Sequence, residues 1–313
     1  MTDLNAAVET VVNRCVAVKD GENVLVVADP DRLDVGRALH EGAIRAGGDS
    51  VLALLPPRAQ RGTEPPPTVA AAFAACDVFL APCLPSLSHT RARKGATERG
   101  ARGATLPGVE AEMFGRLMSA DFDEMVRRSA LVAELLTEAG EARFTCPRGS
   151  DMQFDLSGRT AIADDGEMTS AGAFGNLPCG EGFISPAGGS GVFVAATVGH
   201  LGAADHEVRL TVGDGRLTEV SGALGERLLE HLTAYGEDGR HLAELGVGTN
   251  ERARLGGNLL EDEKVLGTVH VAFGASAGIG GTVNVPVHED AVVVDPTLVV
   301  GGTTVIDGGR FVL

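Results

Sequence analysis

The chain has 313 residues, 44% of them hydrophobic and 4% aromatic, with no Trp, one Tyr and 43 Gly. Its net charge of −17 repels nucleic acid and anionic lipid and argues against a polyanion-binding role. Cys15, Cys76, Cys83, Cys146 and Cys179 include no CxxC pair, so neither a disulfide framework nor a thiolate zinc site is expected.

In chain order, Thr2–Lys19 has helical periodicity, with Leu4, Val8, Val11 and Val12 on one stripe. The MTDLNAAVET start has no basic or apolar leader character, and no apolar run reaches the roughly 18 residues of a membrane span. A cytoplasmic protein with no membrane partner is therefore expected. Glu22–Asp29 (ENVLVVAD) is a short apolar run of the buried parallel-strand type. Arg32–Ala46 reads as a helix, Ser50–Leu55 as a strand and Arg58–Pro67 as a proline-rich loop. Val69–Cys76 is helical, Asp77–Ala81 is a strand, and Glu110–Ala139 is one long helical stretch. Strands alternating with helices imply βαβ units.

The composition then changes. Met152–Leu156, Gly191–Thr197, Val208–Val212, Leu217–Val220, Val265–Phe273, Ala291–Val294 and Thr303–Val305 read as strands between glycine-rich turns, with a single helix near Leu224–Tyr235. The expectation is an α/β N-terminal domain with a parallel sheet over residues 1–145, then a β-rich α+β metal-binding domain over 146–313.

Chemistry-bearing residues gather in the last third. In VHED, His288 and Asp290 share one face of a strand while Glu289 points away. In GTVHVAFG, His270 lies opposite the apolar face formed by Val269, Val271 and Phe273. Glu244 precedes a glycine-rich turn, and Glu181 follows Pro178, Cys179 and Gly180. Glu261, Asp262 and Glu263 form an acidic run of the kind that ends a solvated helix. Carboxylates and imidazoles amid apolar strands are costly to bury unless paired or metal-bound, and this set suggests a hydrolytic or oxidative metal centre. Ser88–Gly103 adds Arg91, Arg93 and Lys94, which read either as a solvated helix face or as a substrate-binding subsite for a carboxylate. Gly278–Gly281 precedes no helix and carries no Lys-Ser pair, so it is not a phosphate loop.

The ordered run GNLPCGEGFISP, AELGVGTN, LEDEKVLGTVHVAFG and VHED, with SHTRARKGATERGARGATLPG and GSDMQFDLSGR upstream, resembles the aminopeptidase T family of metallopeptidases. The resemblance implies a homodimeric metalloaminopeptidase acting on a short peptide or other small molecule. It also implies two divalent ions (Zn, Co, Mg or Mn) and the metal ligands Glu181, Glu244, Glu263, His270, His288 and Asp290. Glu181, Glu244 or Glu263 could double as a catalytic proton shuttle. Those peptidases carry a tyrosine soon after the His270 position, where this chain reads ASAGIGG. The ring-cleaving 2,5-dihydroxypyridine dioxygenases use the same scaffold. Similarity to them implies the alternative, one Fe(II) held by the His-x-Asp pair and by a histidine at about the position of Glu244.

Overall fold

The computed structural model describes residues 4–56, 63–84 and 86–313, so residues 57–62 of the proline-rich stretch lie outside the described residues. The chain divides into two compact units, Met1–Phe122 with Gly166–Cys179, and Asp123–Asp165 with Gly180–Leu313. The division therefore does not fall at residue 145. The second unit starts within a helix, and the first takes back a later segment because that segment adds a strand to its sheet.

Among the described residues, unit 1 carries a five-stranded parallel sheet. It comprises β1 (Asn23–Ala28), β2 (Asp49–Leu54), β3 (Val78–Ala81), β4 (Arg102–Thr105) and the returning β8 (Phe174–Asn176), in the order β2-β1-β3-β4-β8. Its helices are α1 (Leu4–Thr10), α2 (Leu33–Arg45), α3 (Pro67–Ala75), α4 (Arg91–Glu98) and α5 (Ala111–Leu117). The first helix is shorter than its periodicity suggests. After α1 the backbone makes a π-helical turn over Val11–Cys15 and stops, with Ala17 at φ 43°. Arg102 explains the stop: its guanidinium donates to the Val16 and Ala17 carbonyls at 2.6 and 2.8 Å and to Glu22 at 2.7 Å. The stretch Glu110–Ala139 is two helices rather than one, α5 and α6 (Phe122–Glu138), separated by a turn at Met118–Asp121.

Unit 2 is built on a thirteen-stranded sheet among the described residues. In chain order its strands are β5 (Glu141–Cys146), β6 (Ser150–Asp155), β7 (Ile162–Asp164), β9 (Glu181–Ile184), β10 (Gly188–Val198), β11 (Gly202–Gly213), β12 (Arg216–Ser221), β13 (Leu242–Gly248), β14 (Val269–Gly274), β15 (His288–Val293), β16 (Thr297–Val300), β17 (Thr303–Asp307) and β18 (Arg310–Phe311). The path runs β18-β17-β16-β5-β6-β10-β15-β14-β13-β9-β7, with β11 and β12 continuing from β10. The pairings are antiparallel throughout. Besides α6, the unit holds α7 (Ala223–Thr233), α8 (Gly236–Gly239) and α9 (Leu259–Asp262). Phe144, Phe154, Phe193 and Phe273 stack through its core, with Val247, Val269, Val271 and Val293 packed in the same cluster. Burying one such ring contributes roughly 2–3 kcal/mol. Among the described residues no helix is long and apolar enough to cross a membrane.

Candidate metal centre

Alternation along β9, β13, β14 and β15 places the site on the sheet face opposite the valine core, because residues paired across a ladder share a face. Glu181 of β9 pairs with Gly248 of β13, and Gly246 of β13 pairs with His270 of β14. Ala272 lies between Glu244 of β13 and Asp290 of β15, and Gly274 is opposite His288. One irregularity makes this possible. Leu242 and Glu244 are two apart and would share a face on a regular strand, but the register shifts between them. That bulge sends Leu242 into the core and Glu244 to the site. Gly246 is required there too, since a Cβ on it would lie 1.9 Å from His270 Nε2.

The donor atoms converge. His270 Nε2 lies 3.2 Å from Glu244 Oε1 and 3.3 Å from Glu181 Oε2. His288 Nε2 lies 3.4 Å from Glu244 Oε2 and 3.6 Å from Asp290 Oδ1. Glu181, Glu244, His270 and Asp290 are buried, and His288 is partly exposed at the rim. The Ala275 carbonyl, 2.8 Å from His288 Nδ1, accepts that ring's outer N–H and leaves Nε2 facing the carboxylates.

Lys264 stands beside this group with its ammonium fully enclosed. Nζ donates to Glu263 Oε1 at 2.7 Å and to Glu181 Oε1 at 2.9 Å, with Asp164 Oδ2 at 3.7 Å. Glu263 is therefore a partner of Lys264, and Glu181 bridges the ammonium to His270. The acidic run is not a solvated helix end. Asp262 is buried and accepts from Gly256 N, Gly257 N and Thr197 Oγ1, while Glu261 accepts from Arg254 N. Neither Lys264 nor Asp164 was singled out in the sequence. A lysine next to three acids at the head of an apolar strand was the available signal.

The electrostatics follow from burial and proximity. Burial alone would strip the protons from the imidazoles, but the Glu244 and Glu181 carboxylates raise His270 to about 9. Against the same burial penalty, Asp290 and Glu244 raise His288 well above the usual imidazole range. Burial likewise opposes ionisation of Glu244, yet hydrogen bonds to His270 and His288 bring it down to about 2. Lys264 is raised by Glu181, Glu263 and Asp164 despite its burial, and burial itself pushes Asp164, Glu263 and Asp290 up. Positive charge is thus held at the imidazoles, where a divalent ion would replace the protons.

The residues fit such an ion. Glu181 Oε2 is buried without a hydrogen-bond partner among the described residues, and Glu244, His270 and Asp290 each offer a ligand atom within 4.8 Å of the others. Two imidazoles with carboxylates form a nitrogen–oxygen donor set suited to Fe(II), Mn(II), Co(II) or Zn(II).

The basic segment does not behave as one cluster. Arg93 is buried in unit 1, with Nε donating to the Ser88 carbonyl at 2.7 Å and the guanidinium 3.9 Å over the Phe174 ring. Its burial lowers the guanidinium to about 10. Arg91 and Lys94 are exposed, and Arg91 pairs with Glu64 at 3.5 Å.

Two solved structures share the fold. The 2,5-dihydroxypyridine dioxygenase from Pseudomonas putida KT2440 superposes with a TM-score of 0.83 at 18% identity, over 99% of this chain and 96% of that one. Wild-type AmpT from Thermus thermophilus gives a TM-score of 0.73 at 19% identity, over 99% of both chains. No curated protein matches the chain. The family model described as NicX, 2,5-dihydroxypyridine 5,6-dioxygenase, matches residues 3–313. This corrects the expectation of an aminopeptidase-like hydrolase. The fold is common to both solved structures, so a resemblance carried on this scaffold does not by itself select the peptidase. With the match running over essentially its whole length, the chain belongs to the NicX, 2,5-dihydroxypyridine 5,6-dioxygenase, family of enzymes.

Proposed function

We propose that the protein is a mononuclear Fe(II) dioxygenase that opens a small dihydroxylated ring of the 2,5-dihydroxypyridine type. The observation that carries this reading is the convergence of His270, His288, Asp290 and Glu244 on one sheet face of a chain belonging to this family. His270 and His288 with Asp290 supply the two imidazoles and one carboxylate of the facial sets that hold non-haem iron, and Glu244 stands where a further ligand would. When bound, Fe(II) supplies the electron transfer that lets ground-state dioxygen react with a ring.

The chain's own groups do the rest. Asp290 and Glu244 orient the two Nε2 atoms, and the Ala275 carbonyl fixes the His288 ring. Lys264 occupies Glu181 Oε1 and Glu263, which supports one divalent ion instead of two. Glu181 Oε2 is left to accept a proton from a ring hydroxyl. Phe183, paired with Gly246 and partly exposed, lies on the site's face and offers an aromatic surface for a planar substrate. A homodimer rests on the resemblance alone, and light scattering would check it.

The test is oxygen uptake. Protein loaded anaerobically with Fe(II) should consume dioxygen and bleach the ring absorbance of 2,5-dihydroxypyridine, and Zn(II)-loaded protein should do neither. Fe(II) protein that consumes no oxygen with any dihydroxylated pyridine would rule the reading out.

A further inference from the structure

Glu289 sits between His288 and Asp290, and strand alternation turns it to the other face of β15, where it pairs with Phe273. The carboxylate is buried, yet it meets two histidines. Oε2 accepts from the His200 backbone N–H at 3.0 Å, which leaves Oε1 3.0 Å from His200 Nδ1 and 3.5 Å from His231 Nε2. The two imidazoles lie 4.9 Å apart at an interplanar angle of 65°, and Tyr235 packs edge-on against His231 at 5.6 Å. His200 comes from the single turn Gly199–Leu201 and His231 from the last turn of α7. That turn is built around the carboxylate: Gly199 has φ 45°, and a Cβ there would lie 2.2 Å from Glu289 Oε2.

We propose that His200, His231 and Glu289 form a second divalent transition-metal site, separate from the candidate iron centre and on the opposite face of β15. Ligands roughly 2.0–2.2 Å from a tetrahedral ion lie roughly 3.3–3.6 Å from one another. Here Glu289 Oε1 lies 3.0 and 3.5 Å from the two ring nitrogens, and the three groups each offer an atom within 4.8 Å of the others. One oxygen is held by backbone while the other faces both rings, so a small shift would let all three atoms point at one ion. The histidine side chains are 38% and 35% exposed, which leaves the ion an entry path and room for water ligands. Two imidazoles select Zn(II), Co(II), Ni(II) or Cu(II) over Mg(II) or Ca(II). A bound ion would fasten the Gly199–Leu201 turn and α7 to the strand that presents His288 and Asp290.

Co(II) titration of the Asp290→Ala chain, in which the first site is disabled, tests this. It should take up about one equivalent with the visible absorption of four-coordinate Co(II). Adding His231→Ala should weaken that uptake by tenfold or more, and in the otherwise native Fe(II) protein His231→Ala should leave oxygen uptake unchanged. If His231→Ala does not fold by circular dichroism, His231→Gln, which keeps the volume, is read in its place. Failure of the Asp290→Ala chain to bind Co(II) overturns the proposal, since the histidines then only ion-pair with Glu289. Equal titration and spectra with and without His231 overturn it as well. Neither result bears on the iron centre.

Discussion

Individual side chains at the centre carry separable tasks. Asp290→Ala and His288→Ala each remove a donor from the buried set, and both should lower iron content and oxygen uptake by tenfold or more while the far-ultraviolet spectrum is retained. Full iron content in both variants, measured by plasma emission, would show that the ligands lie elsewhere. Lys264→Ala asks a different question. It leaves Glu181, Glu263 and Asp164 buried without their cation, which should cost about 3–5 kcal/mol in chelator. If the ammonium stands where a second cation would, excess Mn(II) should restore part of that loss and raise the metal count by about one ion per chain over the native protein under the same conditions. An unchanged count would refute that role for Lys264.

Among the elements, β13 determines the geometry more than any other strand. It carries the bulge that turns Glu244 toward the site and the glycine over which His270 lies. Gly246→Ala should displace the imidazole and lower metal affinity by about 10–100-fold, read by competition with a chromogenic chelator, with a smaller effect on thermal stability. An unaltered affinity would mean that the ring has room the ladder does not show. In the parallel sheet, β4 has a comparable duty through Arg102, which ends the first helix and pairs with Glu22.

For the whole molecule, that pair sets an acid limit on unit 1. Hydrogen bonding to Arg102 holds the Glu22 carboxyl below its usual range against a smaller opposing effect of burial. The stabilisation is therefore complete above the ordinary glutamate pKa and disappears as pH falls through the lowered one. Glu22→Gln should lose about 1–3 kcal/mol near pH 7 and little near pH 3. Denaturant titrations at the two pH values check this, and an equal loss at both would rule out the charged pair as its source.

The sequence was sufficient for the β1, β3 and β14 regions and for the division into α/β and β-rich parts, and it marked His270, His288 and Asp290 as candidates. Their apolar runs and period-two spacing are local properties that the backbone converts directly into faces. Strands β9 and β13, which bring Glu181 and Glu244 to the site, are short, glycine-rich and carry acids, so their patterns read as turns. Only the ladder makes them strands. The bulge at Glu244, the enclosed ammonium of Lys264 and the burial of Arg93 and Asp262 depend on neighbours far away in the chain, which no local pattern encodes. The reaction class was in the same position, because the dioxygenase structure and AmpT share one fold with this chain. By itself the sequence marked which residues carry cation-binding chemistry. The tertiary structure decided which of them meet, because burial and register, not spacing, bring the carboxylates together and assign Lys264 to some of them.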